Sequence, residues 1–122
     1  MWPPPAGSTI TNRAAIGSSS FPTATCEQPC AALDQEAITQ APAVFVIAAV
    51  YERTSRKYGA ARTPRYVHME VGHVAQNLLL EAVGLGLRGM TIGAFEDDAL
   101  QNALSLPVDQ RPLYLIPVGH PR

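Results

Sequence analysis

Residues Thr63 to Gly84 read TPRYVHMEVGHVAQNLLLEAVG, and this stretch decides the fold. Thr63 can cap a helix, and Pro64 fits the first helical position, where no N–H is needed. Apolar residues then recur at Val67, Val71, Val74, Ala75, Leu78, Leu79, Ala82 and Val83. They form one stripe of a 3.6-residue period. Gly84, Gly86 and Gly89 end it, giving a helix of about twenty residues, near ~30 Å long at 1.5 Å per residue. The opposite side carries Glu70, His73, Gln76, Asn77 and Glu81. A helix of this length with one apolar stripe needs a surface to bury that stripe, and its flanks supply one.

On the N-terminal side, Ala43 to Tyr51 is a continuous Val/Ile/Phe-rich run, the pattern of a strand covered on both faces, and is expected to be central in its sheet. On the C-terminal side, Met90 to Ala94 reads as a short strand. Phe95-Glu96-Asp97-Asp98 opens a helix with acids in its first turn, where the helix dipole favours them, and Leu100 and Leu104 give that helix its buried face. Leu113 to Val118 reads as a last strand. Pro112 before it and Pro117 inside it place it at an edge or end it in a bulge. Cys30 to Gln40 has the pattern of a short amphipathic helix stopped by Pro42. Alternating helices and strands in this order predict an α/β or α+β sheet with helices packed on it. Residues 1–30 hold five of the eleven prolines, the Ser18-Ser19-Ser20 run and only Arg13 and Glu27 as charges. Proline, serine and glycine offer little to bury against the entropy of ordering, so this segment reads as a disordered arm.

The 122 residues fit one domain, 47% of them hydrophobic and 16% charged, with a formal net charge of -1. A globular chain carries about 25% charged residues, so this one is charge-poor and is expected to have a covered surface or a bound ligand. Nucleic acid is not expected as a partner, because binding a phosphate backbone needs positive charge that a chain of net charge -1 has only where that charge is strongly clustered. A membrane is excluded as well. The longest apolar run, Ala41 to Tyr51, contains a proline and falls short of the ~20 residues a span requires. Met1-Trp2-Pro3-Pro4-Pro5 lacks the basic start of a secretory signal, so the cytoplasm is the expected compartment. Cys26 and Cys30 alone make no disulfide framework, and a metal would need two further ligands.

Two segments could carry chemistry. Five of the nine basic residues fall between Arg53 and Arg65, with Tyr58 among them and Tyr51 and Tyr66 on either side. Such a run is a solvated connection or a ligand-facing edge of the sheet, and both readings stay open. Within it, Lys57-Tyr58 is the one adjacent pair with acid/base potential. Gly86 to Phe95 places closely spaced glycines on either side of a short strand, where backbone N–H groups could approach a planar or anionic ligand. It is not the GxGxxG of a dinucleotide site, and no GxSxG nucleophile is present. Glu70 and His73 share a helical face as a carboxylate-x-x-histidine pair, but a di-metal site needs a second pair and further glutamates that the chain lacks, so no metal is expected.

Four ordered segments together resemble the nitroreductase superfamily: Ala41 to Gly59 (APAVFVIAAVYERTSRKYG), Arg65 to Leu80 (RYVHMEVGHVAQNLLL), Ile92 to Asp98 (IGAFEDD) and Pro112 to Gly119 (PLYLIPVG). More narrowly, they look like the SagB-type or ThcOx-type dehydrogenases. The resemblance covers roughly residues 31–121 and implies the α+β form of the sheet, as a C-terminal part of a nitroreductase-like domain over residues 31–122, with the arm before it. It implies an FMN-dependent oxidoreductase, a homodimer with flavin at the subunit interface, and oxidation of thiazoline and oxazoline rings in a peptide by hydride transfer to flavin. By similarity Lys57 and Tyr58 match the lysine-tyrosine pair that serves ring oxidation. Thr91, Ile92, Gly93 and Ala94 match the loop along the isoalloxazine ring. Gln76 and Asn77 lie in the helix that forms much of the dimer interface. The family's arginine-containing first helix and following strand pair have no counterpart here. A rival expectation arises from that departure: a non-catalytic remnant that dimerises or docks on a full-length relative without flavin.

Overall fold

The computed structural model of the chain describes residues 9–10, 24–25 and 36–121. Two short strands, β1 (Thr9–Ile10) and β2 (Ala24–Thr25), pair antiparallel, Thr9 opposite Thr25. The main body runs α1 (Glu36–Gln40), β3 (Ala43–Ala49), α2 (Tyr51–Tyr58), α3 (Thr63–Gly84), β4 (Arg88–Gly89), α4 (Asp97–Ala103) and β5 (Arg111–Gly119). The sheet has the order β3-β5-β4 with both pairings antiparallel, and helices lie on both its faces. It is the expected α+β architecture.

Strand β3 alternates between the two cores. Val44 and Val46 face Ile38 of α1 and Leu100 and Leu104 of α4. Phe45, Ile47 and Ala49 face Val67, Val71, Ala75 and Ala82 of α3. Coverage on both faces is what the unbroken apolar run predicts, because both sets of side chains must leave water. Ile47, Leu115 and Ile116 are buried almost completely, and a side chain of this kind contributes roughly 1.5–3 kcal/mol on burial.

The position of the strands in the sheet is the reverse of the expectation. Strand β5 is central, and β3 lies at an edge of the described sheet. The prolines permit this for a geometric reason. Met90 donates its N–H to the carbonyl of Pro117, so the backbone of Pro117 turns toward β4, since the N–H and C=O of a strand residue share one side. The donor that proline lacks is therefore absent only beside a two-residue strand. Pro112, the other proline of β5, pairs with Ala48 beside a break in the β3–β5 register. The expected bulge is present: Ile47 pairs with Tyr114 and Ala48 with Pro112, so Leu113 is the extra residue. Leu113 and Tyr114 consequently both join the α3 side of the core.

Helix α3 buries Thr63, Val67, Val71, Ala75 and Ala82 on one stripe. Thr63 does not cap it. Arg62 occupies that place, and the Thr63 hydroxyl donates to the Gly59 carbonyl at 2.8 Å. The C-terminal stop is a Schellman motif. Leu87 N–H bonds the Ala82 carbonyl at 2.8 Å, Gly86 N–H bonds Val83 at 3.0 Å, and Gly86 takes the left-handed φ of 74°. Leu87 and Ala82 belong to the same core cluster, which seals the motif. Of the expected Cys30–Gln40 helix, Glu36–Gln40 is helical; residues 30–35, with Cys26 and Cys30, lie outside the described residues. No helix among the described residues is long and apolar enough to cross a membrane.

Candidate functional site

Two separate places hold the residues singled out from the sequence. The first is α2, where the expected charged connection is instead a helix. Its Glu52 and Arg56 form an i,i+4 ion pair at 2.9 Å, and the pattern leaves none of its residues fully buried. An exposed pair of this kind stabilises a helix by only about 0.3–0.5 kcal/mol. The turn after the helix holds it in place. Gly59 adopts φ 78° and ψ 156°, a conformation essentially restricted to glycine, and folds α2 back onto α3. Both ends of α2 then meet α3 through aromatic rings. Tyr58 lies against Tyr66 with ring centroids 4.5 Å apart, and the Tyr51 hydroxyl is 3.0 Å from Nε2 of His68.

Lys57 and Tyr58 occupy the last turn of this helix, exposed, with the Lys57 ammonium 5.2 Å from the Tyr58 ring centroid. Cation and ring attract at that distance. Tyr51, at the other end, is half-buried. Loss of solvent pushes its phenol above the ordinary value of 10.0, and the Asp97 carboxylate pushes the same way.

The second place is the loop after β4. The expected Met90–Ala94 strand is reduced to an isolated bridge. Ile92 exchanges both backbone hydrogen bonds with Leu115, at 2.8 and 3.0 Å, and buries its side chain in the α4 side of the core. Thr91, Gly93 and Ala94 around it are exposed. A Cβ added to Gly93 would sit 3.5 Å from the Tyr114 ring, an ordinary contact, so Tyr114 backs the loop and leaves the other side open. No acceptor among the described residues takes the N–H of Thr91, Gly93 or Ala94. The loop is thus pinned at one residue and presents backbone donors on an open face, which suits a flat ligand with acceptors along its edge. No hydrogen bond, ion pair or ring contact joins it to Lys57 or Tyr58 among the described residues.

The sequence model of the nitroreductase family matches residues 12–120. The chain belongs to the nitroreductase family. A protein of Methanocaldococcus jannaschii that carries a nitroreductase name is 53% identical over 93 residues, 76% of this chain and 46% of its own length. This chain therefore spans about half the length of that curated relative. Among solved structures, an Anabaena variabilis protein also named for the nitroreductases superposes with a TM-score of 0.67 and 36% identity, over 75% of this chain and 18% of that one. The NADPH:FMN oxidoreductase of Vibrio harveyi, solved with NAD+, superposes with a TM-score of 0.64 and 25% identity, over 78% of this chain and 44% of its own.

Within this nitroreductase fold, the sequence missed the pairing of Tyr51 with His68 and the backing of the loop by Tyr114. One signal for the first was available. A turn near residues 59–62 folds two helices antiparallel, which brings Tyr51 and Tyr58 against the first two turns of the next helix. Glu70 and His73 are exposed on α3, and no group of three or more His, Cys, Asp or Glu is placed to hold a metal among the described residues.

Proposed function

We propose that residues 31–122 form the C-terminal part of an FMN-dependent oxidoreductase of the SagB or ThcOx type, working in the cytoplasm and oxidising azoline rings in a peptide. The observation that carries this reading is the Lys57-Tyr58 pair at the exposed end of α2, fixed against α3 by the Tyr58–Tyr66 contact. Converting an azoline to an azole removes one proton and one hydride from the ring. Bound FMN supplies the two-electron acceptor for the hydride. Lys57 is the group placed to take the proton. Tyr58 donates a hydrogen bond to negative charge developing on the ring. Thr91, Ile92, Gly93 and Ala94 would hold the flavin, with Ile92 as the fixed point of the loop and the N–H groups that have no acceptor as the donors to it.

The same reading gives α3 a role between subunits, in a homodimer or with a full-length relative. Gln76 and Asn77 are exposed on it. Met69, His73, Gln76, Leu80 and Val83 recur at alternating steps of four and three, and Met69, Leu80 and Val83 are 54%, 60% and 57% exposed. A row with that spacing is the seam of two packed helices. Kinetics test the assignment of the base. Replacing Lys57 with alanine should leave flavin retention intact and slow azoline oxidation by about 10²–10⁴-fold. An unchanged rate would remove Lys57 from the reaction.

A further inference from the structure

We infer that the corner between α2 and α3 is a docking surface for an acidic stretch of the peptide substrate, an inference that rests on the peptide-oxidising reading above. The charge of the chain is concentrated there. Residues 51–66 hold Arg53, Arg56, Lys57, Arg62 and Arg65 against Glu52 alone, a balance of +4 in a chain whose net charge is -1, so the remainder carries -5. Arg56 is paired with Glu52. Lys57, Arg62 and Arg65 have no carboxylate partner among the described residues.

These three cations lie on the two elements that meet at one aromatic contact. Lys57 lies over the Tyr58 ring, and Tyr58 contacts Tyr66. Residues 62, 65 and 66 are three and four apart, so Arg62 and Arg65 share the helical face that carries Tyr66. Arginine forks match carboxylates, and the exposed ring of Tyr58, backed by half-buried Tyr66, gives a peptide backbone a flat platform to lie on. The shape of the corner selects a polymer over a small molecule. Every residue from Arg56 to Arg62 is exposed, so the corner protrudes and offers no enclosing wall, whereas small ligands take concave sites. Because Lys57 and Tyr58 belong to both the platform and the proposed reaction, an acidic segment bound by Arg62 and Arg65 sets the neighbouring ring beside them.

The test needs neither flavin nor turnover. Fluorescently labelled peptides without any heterocycle, one with aspartate and glutamate flanks and a matched one with asparagine and glutamine, are titrated with the full chain, and binding is read by anisotropy. The acidic peptide should bind roughly tenfold more tightly at low salt, with the gap closing at high salt. The Arg62→Gln/Arg65→Gln variant should lose the gap, and Arg62→Lys/Arg65→Lys, which keeps both charges, should retain most of it. Equal binding of the two peptides by the unaltered chain would overturn the inference, as would a gap that survives in the glutamine variant. An oligonucleotide of equal charge that binds as tightly as the acidic peptide would overturn it too, by making the corner a general polyanion surface. Failure of azoline turnover with the peptide preference intact would count against the proposed reaction alone.

Discussion

Two glycines should respond in opposite directions to the same added methyl group. A Cβ on Gly59 and one on Gly72 would each meet no atom within 4 Å, so neither change creates a clash. Their backbones differ. Gly59 sits at φ 78° and ψ 156°, where a side chain costs about 1–3 kcal/mol, while Gly72 lies in the regular middle of α3. Alanine also restricts the unfolded chain, which favours the folded state by about 0.4–1 kcal/mol. Gly59→Ala should therefore lose about 0.5–2 kcal/mol. Gly72→Ala should gain about 0.8–1 kcal/mol, the helix-interior preference of alanine over glycine. At roughly 4 °C of Tm per kcal/mol for a chain of this size, the two variants should melt on opposite sides of the unaltered protein and several degrees apart. Urea unfolding followed by circular dichroism, at one protein concentration, measures both. A Gly59→Ala variant as stable as the unaltered chain would refute the claim that this glycine's backbone folds α2 onto α3.

Other perturbations act through single contacts. A Cβ on Gly119 would lie 2.8 Å from Cδ of Pro42, a ring atom that cannot swing away, so Gly119→Ala should destabilise by about 1–3 kcal/mol; a neutral effect in urea unfolding would show that the β3–β5 end is looser than the geometry requires. Tyr51 gives a pH dependence. Its phenol is held above 10.0 in the folded chain, so above that pH the unfolded chain gives up the proton first, and stability falls as pH rises toward the folded value. Tyr51→Phe should shallow the loss of stability above about pH 10, and identical slopes for the two proteins would sink the assignment.

How much of the fold and the site was legible in the sequence depends on the range of the forces involved. Helix α3 was legible because its stripe, its proline start and its glycine stop are local. The two-sided burial of β3 was legible because Val44 and Phe45 cannot both be apolar beside water at one face. Strand order was not. It is set by pairing between residues more than sixty positions apart, and Pro117 argued for an edge until the side toward which its backbone turns was known. Helix α2 was hidden for a different reason: with no fully buried residue it has no apolar stripe, and the turn at Gly59 holds it in place. The loop at Thr91–Ala94 was singled out in the sequence by its glycine and its neighbours. Its single anchor at Ile92 depends on Leu115, far along the chain.

The central claim is that the pinned loop at Thr91, Ile92, Gly93 and Ala94 belongs to a flavin site. Mixing the purified chain with FMN and passing it through a desalting column tests this most directly. A yellow protein whose flavin absorbance elutes with it is the expected result. A colourless protein, with all the FMN in the small-molecule fractions, would contradict it and favour a chain that dimerises or docks on a relative without the cofactor.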